Sequence, residues 1–73
     1  MSLVEFDCTV LGGFPVTVQA EFCSDGSLYD WIALSRSRGR ARRLRWLEAR
    51  IDATGEAERI AELASEVYYE NND

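Results

Sequence analysis

The 73-residue chain contains no histidine and no lysine, so all eight of its basic residues are arginine. Without histidine, it lacks the side chain that most often acts as a general base near neutral pH. Without lysine, it cannot form a Schiff base with a carbonyl substrate. The sequence therefore predicts no catalytic residues, no enzymatic activity and no cofactor.

Cysteine is also scarce, because Cys8 and Cys23 are the only two. Two thiols without histidine cannot complete the usual four-ligand zinc site, so we expect no metal site. The alternating pattern described below places the two cysteines far apart on one hairpin, beyond the roughly 7 Å between Cα atoms that a disulfide allows. We expect free thiols, which suit a reducing cytoplasm.

Long apolar runs are absent as well. No stretch approaches the roughly 18 apolar residues of a membrane span, and Glu5 and Asp7 interrupt the N-terminal segment. The hydrophobic fraction of 47% nevertheless lies above the disordered range. These observations predict one small cytoplasmic domain, residues 1–73, with no membrane contact and no signal peptide.

The charges fall into three blocks. Residues 1–35 hold five acids and no base, residues 36–50 hold seven arginines and one glutamate, and residues 51–73 hold seven acids and one arginine. The net charge is −5. The six arginines within residues 36–45 form what we call the Arg band: Arg36, Arg38, Arg40, Arg42, Arg43 and Arg45.

Two segments near the N-terminus predict a β-hairpin. Residues 3–11 and 16–22 alternate apolar and polar side chains, the period of half-buried strands. The two glycines between them mark the turn. A loop of three or five residues sets apolar side chains opposite one another, with Val10 opposite Val16.

The next segment, residues 28–36, is compatible with two structures. Its aromatic residues Tyr29 and Trp31 favour a third strand. A helix capped by Ser27 is the alternative. We predict the strand, because a third strand would stabilise the hairpin, followed by a turn over residues 37–40.

Two helices follow, over residues 44–53 and 56–70, with Thr54 as the N-cap of the second. Both segments have apolar residues at helical spacing. The predicted fold is therefore α+β, a three-stranded antiparallel sheet (the N-terminal hairpin plus a third strand) followed by a short and a long C-terminal helix on one face. We expect Tyr68, Trp31 and Trp46 in the core and Tyr69 on the surface.

The last helix carries a row of like charges, which we call the acidic ridge: Glu58, Glu62, Glu66 and Glu70. Their i+4 spacing puts them side by side and costs a few tenths of a kcal/mol per pair. The ridge is either a solvated helix face compensated by the Arg band, or a docking surface for a basic groove. The second interpretation predicts partner contacts at the ridge and at the neighbouring Tyr69.

The Arg band has three interpretations. It pairs with the acidic ridge, or it contacts an acidic protein or a second copy in a homodimer, or it binds nucleic acid. Guanidinium groups bind phosphates in a bidentate manner, and nearby aromatic residues could add base stacking. The nucleic-acid interpretation assigns contacts to Arg36, Arg38, Arg40, Arg42 and Arg43.

The overall layout resembles small phage-encoded acidic proteins, anti-CRISPR proteins and other inhibitors of host defence among them. The matching features are a valine-rich hairpin with a glycine turn at residues 10–16, Arg38-Gly39-Arg40, Trp46-Leu47-Glu48 and a final helix containing Glu58-Arg59-Ile60. The resemblance implies a phage inhibitor that acts in the host-cell cytoplasm by stoichiometric binding to a host protein or nucleoprotein complex. A small nucleic-acid-binding or regulatory module using the Arg band is the alternative.

Overall fold

A computed structural model describes residues 2–37 and 39–71, without the side chains of residues 36, 37 and 71. Within these residues, four strands precede two helices: β1 (Ser2–Val10), β2 (Phe14–Phe22), β3 (Leu28–Ser37), β4 (Arg40–Arg43), α1 (Arg45–Thr54) and α2 (Ala57–Asn71). The strands form one antiparallel sheet in the order β1-β2-β3-β4. The predicted α+β class is confirmed.

The first hairpin has the three-residue loop, one of the two predicted lengths. Val10 lies opposite Phe14, and Cys8 lies opposite Val16. The predicted pairing of Val10 with Val16 is therefore wrong by two residues, but a shift of two leaves each side chain on its predicted face. The tight loop begins with Leu11 in the left-handed region, at a φ of 51°.

The sheet has a fourth strand that the sequence did not predict. β4 pairs with the end of β3, with Arg43 opposite Leu34 and Arg40 opposite Ser37. Its four side chains are all exposed. The strand forms through backbone pairing rather than side-chain burial. The predicted turn over residues 37–40 joins the end of β3 at Ser37 to the start of β4 at Arg40, and its Arg38 lies outside the described residues.

The third strand is confirmed, and the helical alternative for residues 28–36 is wrong. β3 pairs with β2 along most of its length, with a bulge near its start. Glu21 lies opposite Asp30 and Phe22 opposite Leu28, which leaves Tyr29 as the extra residue.

Both helices begin and end one residue later than predicted. The predicted N-cap role of Thr54 is wrong, because Thr54 is the last residue of α1 and its hydroxyl donates to the Ile51 carbonyl oxygen at 3.1 Å. Gly55 follows at a φ of 82°. The Gly55 amide donates to the Asp52 oxygen and the Glu56 amide to the Ile51 oxygen, which is a Schellman C-cap.

The core lies between one face of the sheet and the two helices, as predicted. α1 packs against β3, and α2 packs against β1. One cluster joins the sheet to both helices: Val10, Val16, Val18, Ala33, Leu47, Ile51 and Ile60. A second, smaller cluster lies under α2: Val4, Ala20, Phe22 and Ala64. Trp31 contacts both clusters, as expected of a core residue, whereas Trp46 is exposed and its predicted core position is wrong.

The start of α2 is tied to the tip of the first hairpin. The Leu11 amide donates to both carboxylate oxygens of Glu56, at 3.1 and 3.2 Å. Arg59 adds a second tie, because its Nη1 donates to the Thr9 carbonyl oxygen at 3.2 Å. The two residues together hold the hairpin tip in place against the helix.

Replacing Glu56 with alanine is expected to destabilise the fold by about 1–2 kcal/mol, because the part-buried Leu11 amide loses a charged acceptor. Hydrogen exchange at the Leu11 amide should accelerate more than exchange in the sheet centre. Glu58→Ala is the matched control, since this exposed residue should cost less than about 0.5 kcal/mol. Equal losses of stability in the two variants would contradict a stabilising role for the hydrogen bonds between the Leu11 amide and Glu56.

Candidate functional site

The acidic ridge lies on the solvent side of α2. All four of its glutamates are exposed, and successive members rise roughly 6 Å along the helix axis. Within the described part of the chain, no hydrogen bond or salt bridge engages any of the four carboxylates. The ridge is thus a row of four negative charges with no basic partner in the described structure.

Tyr69 lies beside the ridge and is 61% exposed, as predicted. Its ring meets the Tyr68 ring edge-on, with centroids 5.4 Å apart. Tyr68 in turn stacks on the buried Phe22 at 4.3 Å, so its predicted core role is confirmed. A Cβ added at Gly26 would lie 3.4 Å from the Tyr69 hydroxyl, which places this hydroxyl close to the β2–β3 turn. Tyr69 thus lies against the Tyr68 ring and close to the β2–β3 turn, with most of its surface exposed.

The described part of the Arg band lies at the opposite edge of the sheet. Arg40, Arg42 and Arg43 belong to β4, Arg45 is the first residue of α1, and all four are exposed. Arg38 lies outside the described residues, as does the side chain of Arg36. The described arginines therefore line the free edge of the sheet and the beginning of α1.

Only one described member of the Arg band makes a salt bridge, and its partner is not the ridge. Arg43 donates through Nε and Nη2 to the two carboxylate oxygens of Glu48, both at 2.9 Å. This hydrogen bond raises the pKa of Arg43 above its ordinary value. The guanidinium of Arg43 is therefore already paired within the chain, whereas no salt bridge is described for Arg40, Arg42 or Arg45.

Glu48 also completes the sheet where β4 ends. The Ala33 amide of β3 donates to Glu48 Oε2 at 3.1 Å, and the Leu44 amide donates to the Ala33 oxygen at 2.9 Å. Partial burial by itself raises the pKa of Glu48, but the hydrogen bonds from Arg43 and Ala33 outweigh it and bring the pKa below the ordinary value. The Glu48 carboxylate thus accepts the β3 amide that follows the last backbone hydrogen bond between β3 and the β4 segment, and in this sense it caps the ladder of hydrogen bonds.

The ridge and the Arg band are separated by the width of the sheet. α2 packs against β1, whereas β4 forms the other edge, three strand spacings or about 14 Å away. No described side chain of the Arg band contacts the ridge. The interpretation that the band pairs with the ridge is wrong for Arg40, Arg42, Arg43 and Arg45.

The structure adds a surface that sequence reasoning did not assign, the sheet face opposite the helices. Two cross-strand hydrogen bonds lie on it, from Thr17 Oγ1 to Asp7 at 2.7 Å and from Gln19 Nε2 to Glu5 at 2.8 Å. A shallow depression of about 370 Å³ is lined by Asp7, Thr17 and the buried Leu34, among others. The polar positions of the hairpin were visible in the sequence, but the register of β3 across them was not.

The described residues offer little for metal or thiol chemistry. No group of three or more cysteine or acidic side chains among them could hold a metal ion. Cys8 and Cys23 are both free, as predicted. Burial raises the pKa of the Cys8 thiol, which keeps it protonated near neutral pH. Neither helix of the described structure has the length and apolar character needed to cross a membrane.

The chain matches no protein-family model, no curated protein and no solved structure. The candidate site therefore consists of two charged surfaces, defined by the geometry of this chain alone.

Proposed function

We propose that the protein acts without chemistry, by stoichiometric binding of the acidic ridge and Tyr69 to a basic surface on a host protein or nucleoprotein complex. In this proposal it is a phage-type inhibitor of host defence in the host cytoplasm, as the anti-CRISPR-like layout implies. The observation that carries the proposal is that four aligned carboxylates are exposed without any basic partner in the described structure.

The energetics of α2 favour a partner for the ridge. Three like-charge pairs at i+4 spacing cost a few tenths of a kcal/mol each, or about 1 kcal/mol in all. Arg40, Arg42, Arg43 and Arg45 do not offset this cost, because they lie on β4 and at the start of α1, away from β1, on which α2 packs. Arginine or lysine side chains on a partner would relieve the repulsion and would also steer the two molecules together.

Tyr69 suits the role of an anchor within this surface. Aromatic residues at the centre of an interface contribute strongly when their orientation is fixed before binding. The Tyr68 ring lies against Tyr69 and the turn at Gly26 lies close to it, and both neighbours restrict this side chain before binding. The ridge and Tyr69 together extend over roughly 18 Å, the length of twelve helical residues from Glu58 to Glu70.

Reversing the central charges of the ridge tests the proposal. We expect the tagged protein to capture a specific complex from host lysate after nuclease treatment, and Glu62→Lys/Glu66→Lys to weaken binding of the identified complex at least tenfold, or about 1.4 kcal/mol. Isothermal titration with the purified complex measures this change. In a host with an active CRISPR system, the unmodified protein should restore infection by a targeted phage, and the double variant should not.

A control variant with the same change in net charge shows whether weaker binding results from loss of the ridge or from the altered net charge of the protein. Glu21→Lys/Asp52→Lys removes two acids outside α2, on β2 and α1. This variant should bind the complex with nearly unchanged affinity. Capture that disappears with nuclease, or equal weakening by both double variants, would overturn the assignment of binding to the ridge.

A further inference from the structure

A pair of aromatic rings is exposed at the end of the sheet where β2 begins. Phe14 and Trp46 meet edge to face, with centroids 5.9 Å apart. Phe14 is 37% exposed and Trp46 is 56% exposed. Neither ring belongs to a core cluster. The covered parts of the two rings pack on each other, and the exposed parts leave aromatic surface open to a ligand.

The register places two free arginines on the same side of the sheet as this pair. Ala33 faces the helices in the core, and alternation along β3 puts Ser35 on that side too. The cross-strand partner of Ser35 is Arg42, and alternation along β4 puts Arg40 on the same side as Arg42. Phe14 shares this side because it alternates with Val16 and Val18 of the core.

The arginines and the rings are also close together. β2 and β4 are two strand spacings apart, or about 10 Å. Arg45 immediately precedes Trp46 at the start of α1. We call this surface the aromatic–arginine corner: Phe14, Arg40, Arg42, Arg45 and Trp46.

We propose that the aromatic–arginine corner binds single-stranded nucleic acid, with the guanidinium groups on the phosphates and an unpaired base stacked on Trp46. Such sites combine a basic track for the backbone with aromatic faces for the bases, and each stacked base contributes about 1–3 kcal/mol. The proposal differs from a general Arg-band contact, because Arg43 is occupied by Glu48 and takes no part.

The net charge of −5 does not prevent this binding. α2 packs against β1, and β1 lies three strand spacings or about 14 Å from β4, beyond the Debye length of about 8 Å at physiological ionic strength. Of the acids on α1, Glu48 is neutralised by Arg43, and Asp52 lies seven residues beyond Arg45. Glu56 at the hairpin tip is engaged by the Leu11 amide. Arg40, Arg42 and Arg45 thus contribute three positive charges at the corner, and none of them makes a described salt bridge.

The exposed rings favour a single strand over the other polyanions. The bases of a duplex are stacked on one another, so a duplex offers phosphates to the arginines but no free face to Trp46. An acidic polypeptide likewise offers carboxylates without a stacking group. Only unpaired bases use both parts of the corner.

Tryptophan fluorescence tests the proposal directly. Titration with a twelve-nucleotide oligothymidylate should quench the emission of the exposed Trp46 more than that of Trp31, which is partly buried against both core clusters. Contacts to two or three phosphates predict a log–log salt slope of about −1.4 to −2.1 for a single strand. Fluorescence anisotropy of a labelled oligonucleotide gives the affinity independently.

Matched variants separate stacking from charge. Arg42→Glu should weaken binding at least tenfold, whereas Arg50→Glu, which changes the net charge equally at an exposed position five residues along α1 from Arg45, should change it less than threefold. Trp46→Ala should weaken binding at least fivefold, and urea unfolding will show that this exposed position leaves the fold intact. The ridge variant Glu62→Lys/Glu66→Lys should still bind the oligonucleotide, so this test does not depend on the proposed function.

Three results would overturn the proposal. Equally tight binding of a duplex of the same length would mean that the arginines act without stacking. Binding of polyglutamate at the affinity of the oligonucleotide would point to an acidic protein as the partner. Unchanged affinity in a folded Trp46→Ala variant would remove Trp46 from the site.

Discussion

Replacing Phe22 with alanine is expected to leave most of the protein unfolded at 25 °C. Phe22 has no exposed surface, and it carries the stacking contact that holds Tyr68 and α2 against the sheet. Truncating a buried phenylalanine costs about 3–5 kcal/mol. A domain of this size has little more than that in total, since small single cores supply roughly 3–5 kcal/mol.

Urea unfolding followed by circular dichroism measures the effect, and the transition should shift almost to zero denaturant. The control is Leu3→Ala, which also replaces a large apolar side chain of the same sheet by alanine. Leu3 is 64% exposed, so its truncation removes little buried surface. This variant should stay within about 0.5 kcal/mol of the unmodified protein. A Phe22→Ala protein that keeps a cooperative transition with a loss below about 1 kcal/mol would contradict the proposed packing of α2 on β1 and β2.

The elements that the sequence predicted well are those in which one buried face requires apolar residues at a regular spacing along the chain. Val4, Val10, Val16 and Val18 alternate with polar residues, and burial of one sheet face fixes their orientation whatever the loop length. Ile60 and Ala64 of α2 recur at helical spacing, so the buried face of this helix followed directly from the sequence. The loop length itself depended on Leu11 adopting a left-handed backbone, which a non-glycine residue rarely does.

β4 could not be predicted because it buries nothing. Arg40 and Arg42 carry no apolar pattern, and the strand exists through backbone hydrogen bonds to β3 and the carboxylate of Glu48 beyond its end. Trp46 was placed in the core by its size alone, whereas its actual position depends on the path of the chain from β4 into α1.

The two charged surfaces also differ in how far the sequence alone could predict them. The acidic ridge was evident from spacing, because i+4 positions share one face of any helix. The division of the Arg band was not, since the pairing of Arg43 with Glu48 requires β4 and α1 to be in place. The structure thereby separates Arg40, Arg42 and Arg45, which are available to a partner, from an arginine that serves the fold.

Replacing Glu48 with alanine is expected to destabilise the protein by about 2–3 kcal/mol, because the amide of the buried Ala33 then has no acceptor. Glu48→Gln keeps an oxygen for this amide but removes the charge, so its loss should be smaller. Urea unfolding at pH 7 measures both differences. Similar, negligible losses in the two variants would contradict the role of Glu48 as a cap on the ladder.

The stabilisation by Glu48 should also depend on pH, with a sign fixed by its lowered pKa. On acidification the unfolded chain takes up the proton first, at the ordinary glutamate pKa of about 4.3. The contribution is therefore complete above that pH and is lost as the pH falls through the lower pKa of the folded state. The free-energy difference between the unmodified protein and Glu48→Gln isolates this effect from Asp25, whose hydrogen bonds with Ser27 also lower its pKa. We expect this difference to be constant from pH 7 to pH 5 and to shrink below pH 4. A difference that grows on acidification would mean that protonated Glu48 binds Ala33 and Arg43 better than the carboxylate does, against the observed bidentate pair.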